Sequence, residues 1–91
     1  MLLKQMKYFI TVVDCHSFTE AAEQCFISQS AISQQIKSLE KELGITIFIR
    51  TNKGVILSRQ GEEFLGYARQ VIEQTNLIEE KYLQDLSLIH I

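Results

Sequence analysis

Residues 28–43 read SQSAISQQIKSLEKEL and decide the fold of this 91-residue chain. At about 100° per residue, this stretch separates into two stripes along a helix. The apolar stripe consists of Ile32, Ile36, Leu39 and Leu43. The opposite stripe is polar and consists of Ser30, Ser33, Gln34, Lys37 and Lys41. It holds no acid, because Glu40 and Glu42 project to the flanks, whereas a solvated helix face usually mixes both signs of charge. The pattern alone leaves two interpretations open, a solvated face and a face that reads DNA.

The residues before this stretch predict two shorter helices. The first ends near Asp14, and its apolar positions of helical period are Leu2, Leu3, Met6, Phe9, Ile10 and Val13. Ser17, followed three residues later by Glu20, forms the capping-box pattern of a second helix that runs to about Gln24. Ser28 is the expected N-cap of the helix that follows. Two helices joined by about three or four residues make a helix-turn-helix, whose second helix enters the major groove.

The residues after the stretch predict a β-hairpin. A glycine ends the helix, and residues 45–49 are rich in the β-branched and aromatic side chains that suit a strand. Residues 52–54 supply a turn, and residues 55–57 return as a second strand. This interpretation places Arg50 and Lys53 at the tip of the hairpin. A helix-turn-helix followed by a basic hairpin is a winged helix-turn-helix, so we expect a mainly α fold with a small β-hairpin, the wing being residues 45–57.

The rest of the chain predicts one long helix with Ser58 as its N-cap. Its far end has nothing in so small a chain to lie against, so we expect it to pair with a second copy. The residues expected in that seam are Phe64, Ala68, Val71, Ile72, Thr75 and Ile78. The alternative is a helix end that simply frays. The predicted organisation is a winged helix-turn-helix at 1–58, a linker and dimerisation helix at 59–85, and a tail at 86–91.

Composition indicates one small domain without a cofactor. The chain is 46% hydrophobic and 22% charged, which is ordinary for a globular protein. It has no apolar run near the roughly 20 residues that cross a bilayer and no signal-peptide pattern, so we expect a cytoplasmic protein that binds no membrane. Cys15 and Cys25 have the spacing of neither a metal site nor a disulfide framework, so we expect two buried free thiols.

The net charge of −2 is unevenly distributed. Residues 1–61 hold seven Lys or Arg against five Asp or Glu, whereas residues 62–91 hold two against six. The acidic excess therefore belongs to the last third of the chain. The rest is mildly basic, which permits binding to phosphates.

These motifs together resemble one family. The residues that carry the resemblance are Phe9, Ser17-Phe18-Thr19, Ala21-Ala22, residues 28–33 (SQSAIS), Ile36, Leu39-Glu40, Leu43-Gly44, Phe48, Arg50, Leu57-Ser58 and Gly61. Over about residues 2–83 the chain is similar, without a gap, to the N-terminal DNA-binding domain of a LysR-type transcriptional regulator. The resemblance implies a dimeric bacterial regulator whose long fourth helix pairs with that of its partner. It also implies a larger downstream domain that senses a small-molecule effector and is absent from this chain.

The chain departs from the family pattern at two positions. Gln34 stands where many members carry arginine or lysine, which weakens one expected contact to phosphate or guanine. Ser58 replaces the more usual threonine, a change that should keep the helix cap. The tail 86–91, LSLIHI, also does not fit the family. It is similar to a transposase-end sequencing adaptor translated in frame, so we interpret it as non-native. The alternative is the start of an ordinary apolar linker.

The sequence thus favours double-stranded DNA as the partner. The residues expected to contact DNA are Ser17, Gln29, Ser30, Ser33, Gln34, Lys37, Arg50 and Lys53. A winged helix that docks a protein is the alternative, although such a face would carry exposed apolar anchors. An enzyme is disfavoured, because no carboxylate pair, metal cluster or glycine-rich phosphate loop appears in the sequence. The adjacent Cys15 and His16 would point in different directions, which does not suit nucleophilic catalysis.

Overall fold

A computed structural model of the chain describes residues 2–83, and its elements come in the predicted order. Helices α1 (Leu2–Cys15), α2 (Phe18–Cys25) and α3 (Gln29–Leu43) precede strands β1 (Phe48–Thr51) and β2 (Gly54–Leu57). Helix α4 (Arg59–Ile78) follows and continues as a π-helical segment, Glu79–Leu83. The fold is therefore a mainly α winged helix-turn-helix with a long C-terminal helix, as predicted. The predicted tail 86–91 and the last two residues of the predicted dimerisation helix lie outside the described residues.

None of the helices within residues 2–83 combines the length and the hydropathy needed to cross a membrane.

Three serines begin the helices that the sequence assigned to them. In each case the serine Oγ accepts the backbone N–H three residues ahead, from Glu20 to Ser17 at 3.2 Å, from Ala31 to Ser28 at 3.0 Å and from Gly61 to Ser58 at 2.9 Å. These amides have no partner inside their own helix, so each cap fixes the residue at which its helix begins. The serine in place of the family's usual threonine keeps the cap, as expected.

The turn between α2 and α3 closes around a phenylalanine in the left-handed region. Phe26 has φ 59° and ψ 39°, and its side chain is 93% exposed. The N–H of Phe26 donates to the end of α2, and the N–H of Ile27 donates to the Ala22 carbonyl at 3.1 Å. Glycine usually ends helices in this way, because a side chain raises the energy of that backbone conformation. The glycine usual in such turns is absent, and Phe26 adopts its conformation instead.

The first strand begins at Phe48 and not at residue 45 as predicted. The reason is the hydrogen bonding of Ile47, which is fully buried. Its N–H donates to Glu40 Oε2 at 2.7 Å, and its carbonyl accepts the Ser58 N–H at 2.8 Å. The Ile47 carbonyl bond to Ser58 follows the hairpin register, but the Ile47 N–H is bonded to a helix side chain instead of the opposite strand, so the strand begins only at the next residue. An apolar run of this length does not distinguish a buried connection from a strand.

The hairpin register corrects the position of one predicted tip residue. The strands are antiparallel, with Phe48 opposite Leu57 and Arg50 opposite Val55. Arg50 therefore lies within β1, whereas residues 52–53 form the turn.

The core lies between α1, α3 and the connection to the wing. Its largest fully buried side chains are Phe9, Val12, Ile32, Leu39 and Ile47. The face that α1 buries differs from the prediction, because Leu2 and Leu3 are 39% and 40% exposed. Met6 and Phe9 of the predicted stripe are buried, and the buried face also includes Gln5 and Tyr8, each one residue before them. Apolar spacing identified the helix but not the rotation of its N-terminal turn.

Helix α4 begins in close contact with the buried connection. A Cβ atom at Gly61 would lie 2.3 Å from the Ile47 carbonyl oxygen and 3.1 Å from a Leu57 methyl carbon. Only glycine lets the helix backbone approach the Ile47 carbonyl so closely. A Cβ atom at Gly66, five residues further along the helix, would have no atom within 4 Å.

We predict that Gly61→Ala lowers the free energy of unfolding by about 1–3 kcal/mol, because the methyl group overlaps backbone that cannot move freely. Gly66→Ala is the matched control in the same helix and should raise the stability by about 0.5–1 kcal/mol. Urea unfolding followed by circular dichroism measures both. Equal stability of the two variants would contradict the close approach of α4 to Ile47.

Candidate nucleic-acid interface

Helix α3 presents its polar stripe to solvent. Its apolar residues Ile32, Ile36 and Leu39 are at most 2% exposed, so the opposite face points outward. The exposed polar residues are Gln29, Ser30, Gln34, Lys37 and Lys41, and Ser33 is half-buried beside them. Two of these side chains are cations and none is an acid, as the sequence predicted.

The N-termini of α2 and α3 meet on the same surface. The Thr19 hydroxyl donates to Gln29 Oε1 at 3.2 Å, which joins the first turns of the two helices. This hydrogen bond orients the Gln29 amide, and a carbonyl oxygen with two lone pairs can accept a second donor as well. Thr19 was not among the predicted site residues, although it belongs to the Ser17-Phe18-Thr19 motif. The Ser17 hydroxyl caps α2 by accepting the Glu20 N–H.

The wing contributes Arg50 to the same surface. The Arg50 guanidinium carbon lies 5.7 Å from the centroid of the Phe18 ring, within the range of a cation–π contact. A shallow groove of about 70 Å³ joins wing and helices here, and its lining residues are Phe18, Ser33, Ile36, Lys37, Glu40, Phe48 and Arg50. The fold therefore brings together Ser33, Lys37 and Arg50, three of the predicted site residues.

Lys53 lies in the exposed turn of the hairpin. The turn is held by Thr51, whose hydroxyl donates to the Gly54 carbonyl at 3.0 Å and accepts the Lys53 N–H at 3.3 Å. The turn backbone is thus ordered, while the Lys53 side chain is exposed. Among the predicted wing cations, Arg50 is tied to the helices and Lys53 extends from the far end of the wing.

Glu40 is a structural residue of this surface that the sequence reasoning missed. Its carboxylate Oε2 accepts the N–H groups of Ile47 at 2.7 Å and Phe48 at 3.3 Å. The side chain therefore fastens the C-terminal half of α3 to the start of the wing. The flank position of Glu40 and its place in the Leu39-Glu40 motif were the available signals. Because its charge is directed to these amides, Glu40 is turned from the basic stripe toward the protein.

Half of the predicted dimer seam packs within the chain. Ala68 is fully buried, and Phe64 and Ile72 pack on the core. The guanidinium of Arg69 bonds to the Asp14 carboxylate at 2.8 Å, which holds α4 along α1. These three apolar residues therefore stabilise the protomer in the structure described.

Several other apolar residues of α4 and of the π-helical segment form an exposed stripe. Val71 is 40% exposed and Ile78 is 59% exposed, and both were predicted for the seam. Thr75, the sixth predicted residue, is half-buried between them. Tyr67, one turn before Val71, is 61% exposed, and Tyr82, one turn after Ile78, is 57% exposed. We call Tyr67, Val71, Ile78 and Tyr82 the exposed α4 stripe, and the sequence reasoning missed Tyr67.

The thiols do not form a reactive centre. Both cysteines are free and only half-buried, which corrects the expectation of full burial. Partial burial raises the pKa of Cys15, and nearby Glu20 and Asp14 raise it further by disfavouring the thiolate. Across residues 2–83, no three His, Cys, Asp or Glu side chains are grouped as metal ligands would be.

A helix-turn-helix whose second helix is flanked by a basic hairpin defines the class of winged helix-turn-helix domains. The sequence profile described as "Bacterial regulatory helix-turn-helix protein, lysR family" matches residues 3–62. The chain therefore belongs to the LysR family and comprises its DNA-binding helix-turn-helix domain. This is a family of transcriptional regulators and not of enzymes.

Two relatives illustrate the similarity in sequence. The chain is 40% identical over 72 residues to the HTH-type transcriptional regulator TfdT of Cupriavidus pinatubonensis, which covers 79% of this chain and 32% of TfdT. It is 37% identical over 78 residues to the RuBisCO operon transcriptional regulator of Allochromatium vinosum, which covers 86% of this chain and 26% of that protein. The chain thus spans about a third or less of the length of these relatives.

Solved structures show the same fold. The BenM DNA-binding domain in complex with catB site 1 DNA is similar with a TM-score of 0.86 and 33% identity, covering 96% of this chain and 98% of that one. Full-length OxyR from Pseudomonas aeruginosa is similar with a TM-score of 0.84 and 37% identity, covering 92% of this chain and 28% of that one. The similarity to the isolated BenM domain extends over almost the whole chain, including most of α4.

We predict that Glu40→Ala lowers the free energy of unfolding by about 1–3 kcal/mol, because two amides at the start of the wing lose their acceptor. Glu40→Gln keeps a side-chain oxygen and should lose less. Hydrogen exchange at the Ile47 and Phe48 amides should accelerate in Glu40→Ala.

Glu42→Ala is the matched control for this prediction. Glu42 is exposed on the same helix, so its removal should change the stability by no more than about 0.5 kcal/mol. Equal effects of the substitutions at Glu40 and Glu42 would show that the carboxylate of Glu40 does not hold the wing.

Proposed function

We propose that this chain binds double-stranded DNA in a sequence-specific manner as the DNA-binding part of a bacterial transcriptional regulator. In this proposal α3 enters the major groove and the wing contacts the DNA backbone or the minor groove. The observation that carries the proposal is that Ser33 and Lys37 of the α3 polar stripe share one groove with Arg50 of the wing, while the Glu40 carboxylate in that groove is bonded to backbone amides. The complex of the similar BenM domain with its DNA supports it.

The residues of this surface suit different parts of the DNA. Gln29 and Ser33 lie near the N-terminal end of α3, the end that contacts base edges in helix-turn-helix complexes. A glutamine amide can pair with adenine through two hydrogen bonds. Lys37, Arg50 and Lys53 are cations suited to phosphates, which position a protein on the duplex without reading sequence. The proposed contact surface also includes the uncharged polar side chains of Ser17, Ser30 and Gln34.

A second copy of the chain is the further partner we propose. One helix-turn-helix contacts only a few base pairs, whereas a two-fold dimer reads half-sites about 34 Å apart. The exposed α4 stripe offers apolar surface for such a pairing. For the whole protein we propose a further domain that binds a small-molecule effector, since the relatives are much longer than this chain. Because its proposed target is bacterial chromosomal DNA, we also propose a cytoplasmic location.

One observation favours a protein-docking wing as a second candidate function. Ile49 and Ile56 face each other across the hairpin and are 45% and 54% exposed. Exposed apolar pairs of this kind can anchor a protein partner. In that case the wing would not touch DNA, and its cations would make no difference to DNA affinity. The substitution of Lys53 described below separates the two candidates.

We predict that Gln29→Ala weakens binding to a duplex enriched from a random-sequence library by about 1–3 kcal/mol at one base position. The wild type and Gln29→Ala should bind a shuffled duplex of the same composition equally, because the Gln29 amide pairs only with the correct base. Ser33→Ala should act in the same direction. Fluorescence anisotropy with the two duplexes measures the effect, and equal losses on both would exclude base reading by these residues.

Lys53→Ala is the comparison variant for phosphate contacts. It should weaken binding to both duplexes alike and lower the slope of log affinity against log salt by about 0.9 for each phosphate that the variant no longer binds. An unchanged slope and affinity would favour the protein-docking wing.

We predict that Val71→Glu weakens self-association, because it would bury a charge in the proposed seam at a cost of several kcal/mol. Binding to a split palindrome should then require more protein, whereas binding to a half-site should be unchanged. Analytical ultracentrifugation and anisotropy measure these effects. Leu77→Glu is the matched control, since Leu77 is 52% exposed but lies outside the exposed α4 stripe. A wild-type chain that stays monomeric at high concentration and binds half-sites as tightly as whole sites would contradict the dimer.

A further inference from the structure

We infer that Phe18 is a positioning residue, which holds the Arg50 guanidinium in the orientation for its DNA contact. The inference rests on the proposed function and adds a role for a residue that has no polar group of its own. Its starting point is the 5.7 Å separation between the Arg50 guanidinium carbon and the centroid of the Phe18 ring.

The ring of Phe18 is held in place by other aromatic side chains. It meets Phe48 edge to face, with centroids 5.6 Å apart and an interplanar angle of 69°. Phe48 in turn lies 5.5 Å from the fully buried Phe9, and Phe9 lies 5.2 Å from Phe64 of α4. Edge-to-face and tilted pairs at these distances are favourable. Phe18 is thus the outer member of a four-ring chain that passes through the core.

The Phe18 contact leaves Arg50 suited to bind an anion. Within residues 2–83 the ion pair present joins Arg69 to Asp14, and no carboxylate is paired with Arg50. A phenyl ring attracts the guanidinium through its face without neutralising its charge. The N–H groups at the guanidinium edge point along its plane, where they can bond a phosphate oxygen or a base edge. A carboxylate partner would instead compete with DNA for these same donors.

The expected benefit of the Phe18 contact is that the Arg50 side chain is already ordered before DNA binds. A free arginine loses rotamer freedom when it is fixed at an interface, and this loss weakens the complex. Arg50 extends from a two-stranded hairpin, an element with little rigidity of its own. The Phe18 ring restricts the Arg50 side chain and at the same time joins β1 to the N-terminus of α2. Both effects direct the guanidinium toward the groove that contains Ser33 and Lys37.

A double-mutant cycle between Phe18 and Arg50 tests the inference. Phe18→Leu keeps an apolar side chain against Phe48 but removes the ring, and Phe18→Tyr keeps the ring. We expect Phe18→Leu to weaken binding to the library-enriched duplex about two- to fivefold, and Phe18→Tyr to bind as the wild type does. In the Arg50→Ala background, Phe18→Leu should cause no further loss.

Salt dependence separates loss of the Arg50 phosphate contact from loss of its positioning. Arg50→Ala should lower the slope of log affinity against log salt by about 0.9, because a phosphate contact disappears. Phe18→Leu should leave this slope unchanged, because Arg50 still reaches the phosphate after ordering itself on the DNA. Thermal unfolding of each variant confirms that the binding temperature lies below its transition. Phe18→Met, whose flexible side chain fills the same space, replaces Phe18→Leu if the latter does not fold.

Three results would overturn the inference. These are an equal loss from Phe18→Leu in both backgrounds, wild-type affinity of Phe18→Leu, and an affinity of Phe18→Tyr as low as that of Phe18→Leu. The proposed function fails in a different way, namely if the wild-type chain binds the enriched and shuffled duplexes equally. A wild type that discriminates between the duplexes while Phe18→Leu is unaffected rejects only the positioning role.

Discussion

The orientation of the wing depends on how the backbone of Ile47 is held. Its N–H is bonded to Glu40 of α3, its carbonyl is bonded to Ser58 at the start of α4, and its side chain is fully buried. Because Gly61 adds no side chain, α4 can begin directly against that carbonyl. One residue thus joins the proposed DNA-reading helix, the wing and the long helix. A two-stranded hairpin is marginally stable by itself, so this attachment determines where Arg50 and Lys53 lie.

The charges of the chain are separated along the same framework. The cations Lys37, Arg50 and Lys53 lie on or beside the helix-turn-helix, whereas acidic residues predominate from residue 62 onward. The DNA backbone repels an acidic long helix. Electrostatics therefore favour the proposed orientation, in which the basic helix-turn-helix faces the DNA. The ion pair of Arg69 with Asp14 uses one of the few cations of α4 to hold that helix on the protomer. The net charge of −2 is therefore the sum of a mildly basic part, residues 1–61, and an acidic part, residues 62–91.

The helices were predicted well from the sequence, because residues close in the chain determine where a helix begins and ends. Serine caps, a helix-ending glycine and helical periodicity depend on neighbours in the chain, and the ends of α1, α2 and α3 agree with the prediction to within a residue. The errors arose where contacts across the fold decide. Ile47 lies in a run of β-branched residues typical of a strand, but its backbone bonds to Glu40 of α3 and to Ser58, the N-cap of α4. For Ala68, the spacing that predicted a seam residue does not reveal that the side chain is fully buried within the protomer. No local pattern indicates either contact. The contacts of Phe18 and Thr19 with site residues also needed the assembled fold, because their partners lie 10 or more residues away.

The glutamine at position 34 bears on how the proposed complex would reach useful affinity. The family resemblance implies a cation at this position in many members, whereas this chain has a neutral amide, so we expect one contact to phosphate or guanine to be weaker. If that contact is to phosphate, it contributes to affinity for every sequence alike, so its weakening lowers nonspecific binding as well. Discrimination between sites then depends more on Gln29 and Ser33, and total affinity depends more on binding two half-sites together. In the proposed dimer, the exposed α4 stripe serves that second need by offering apolar surface to a second copy. Because a single domain would then bind weakly, we expect specific binding to require two paired chains.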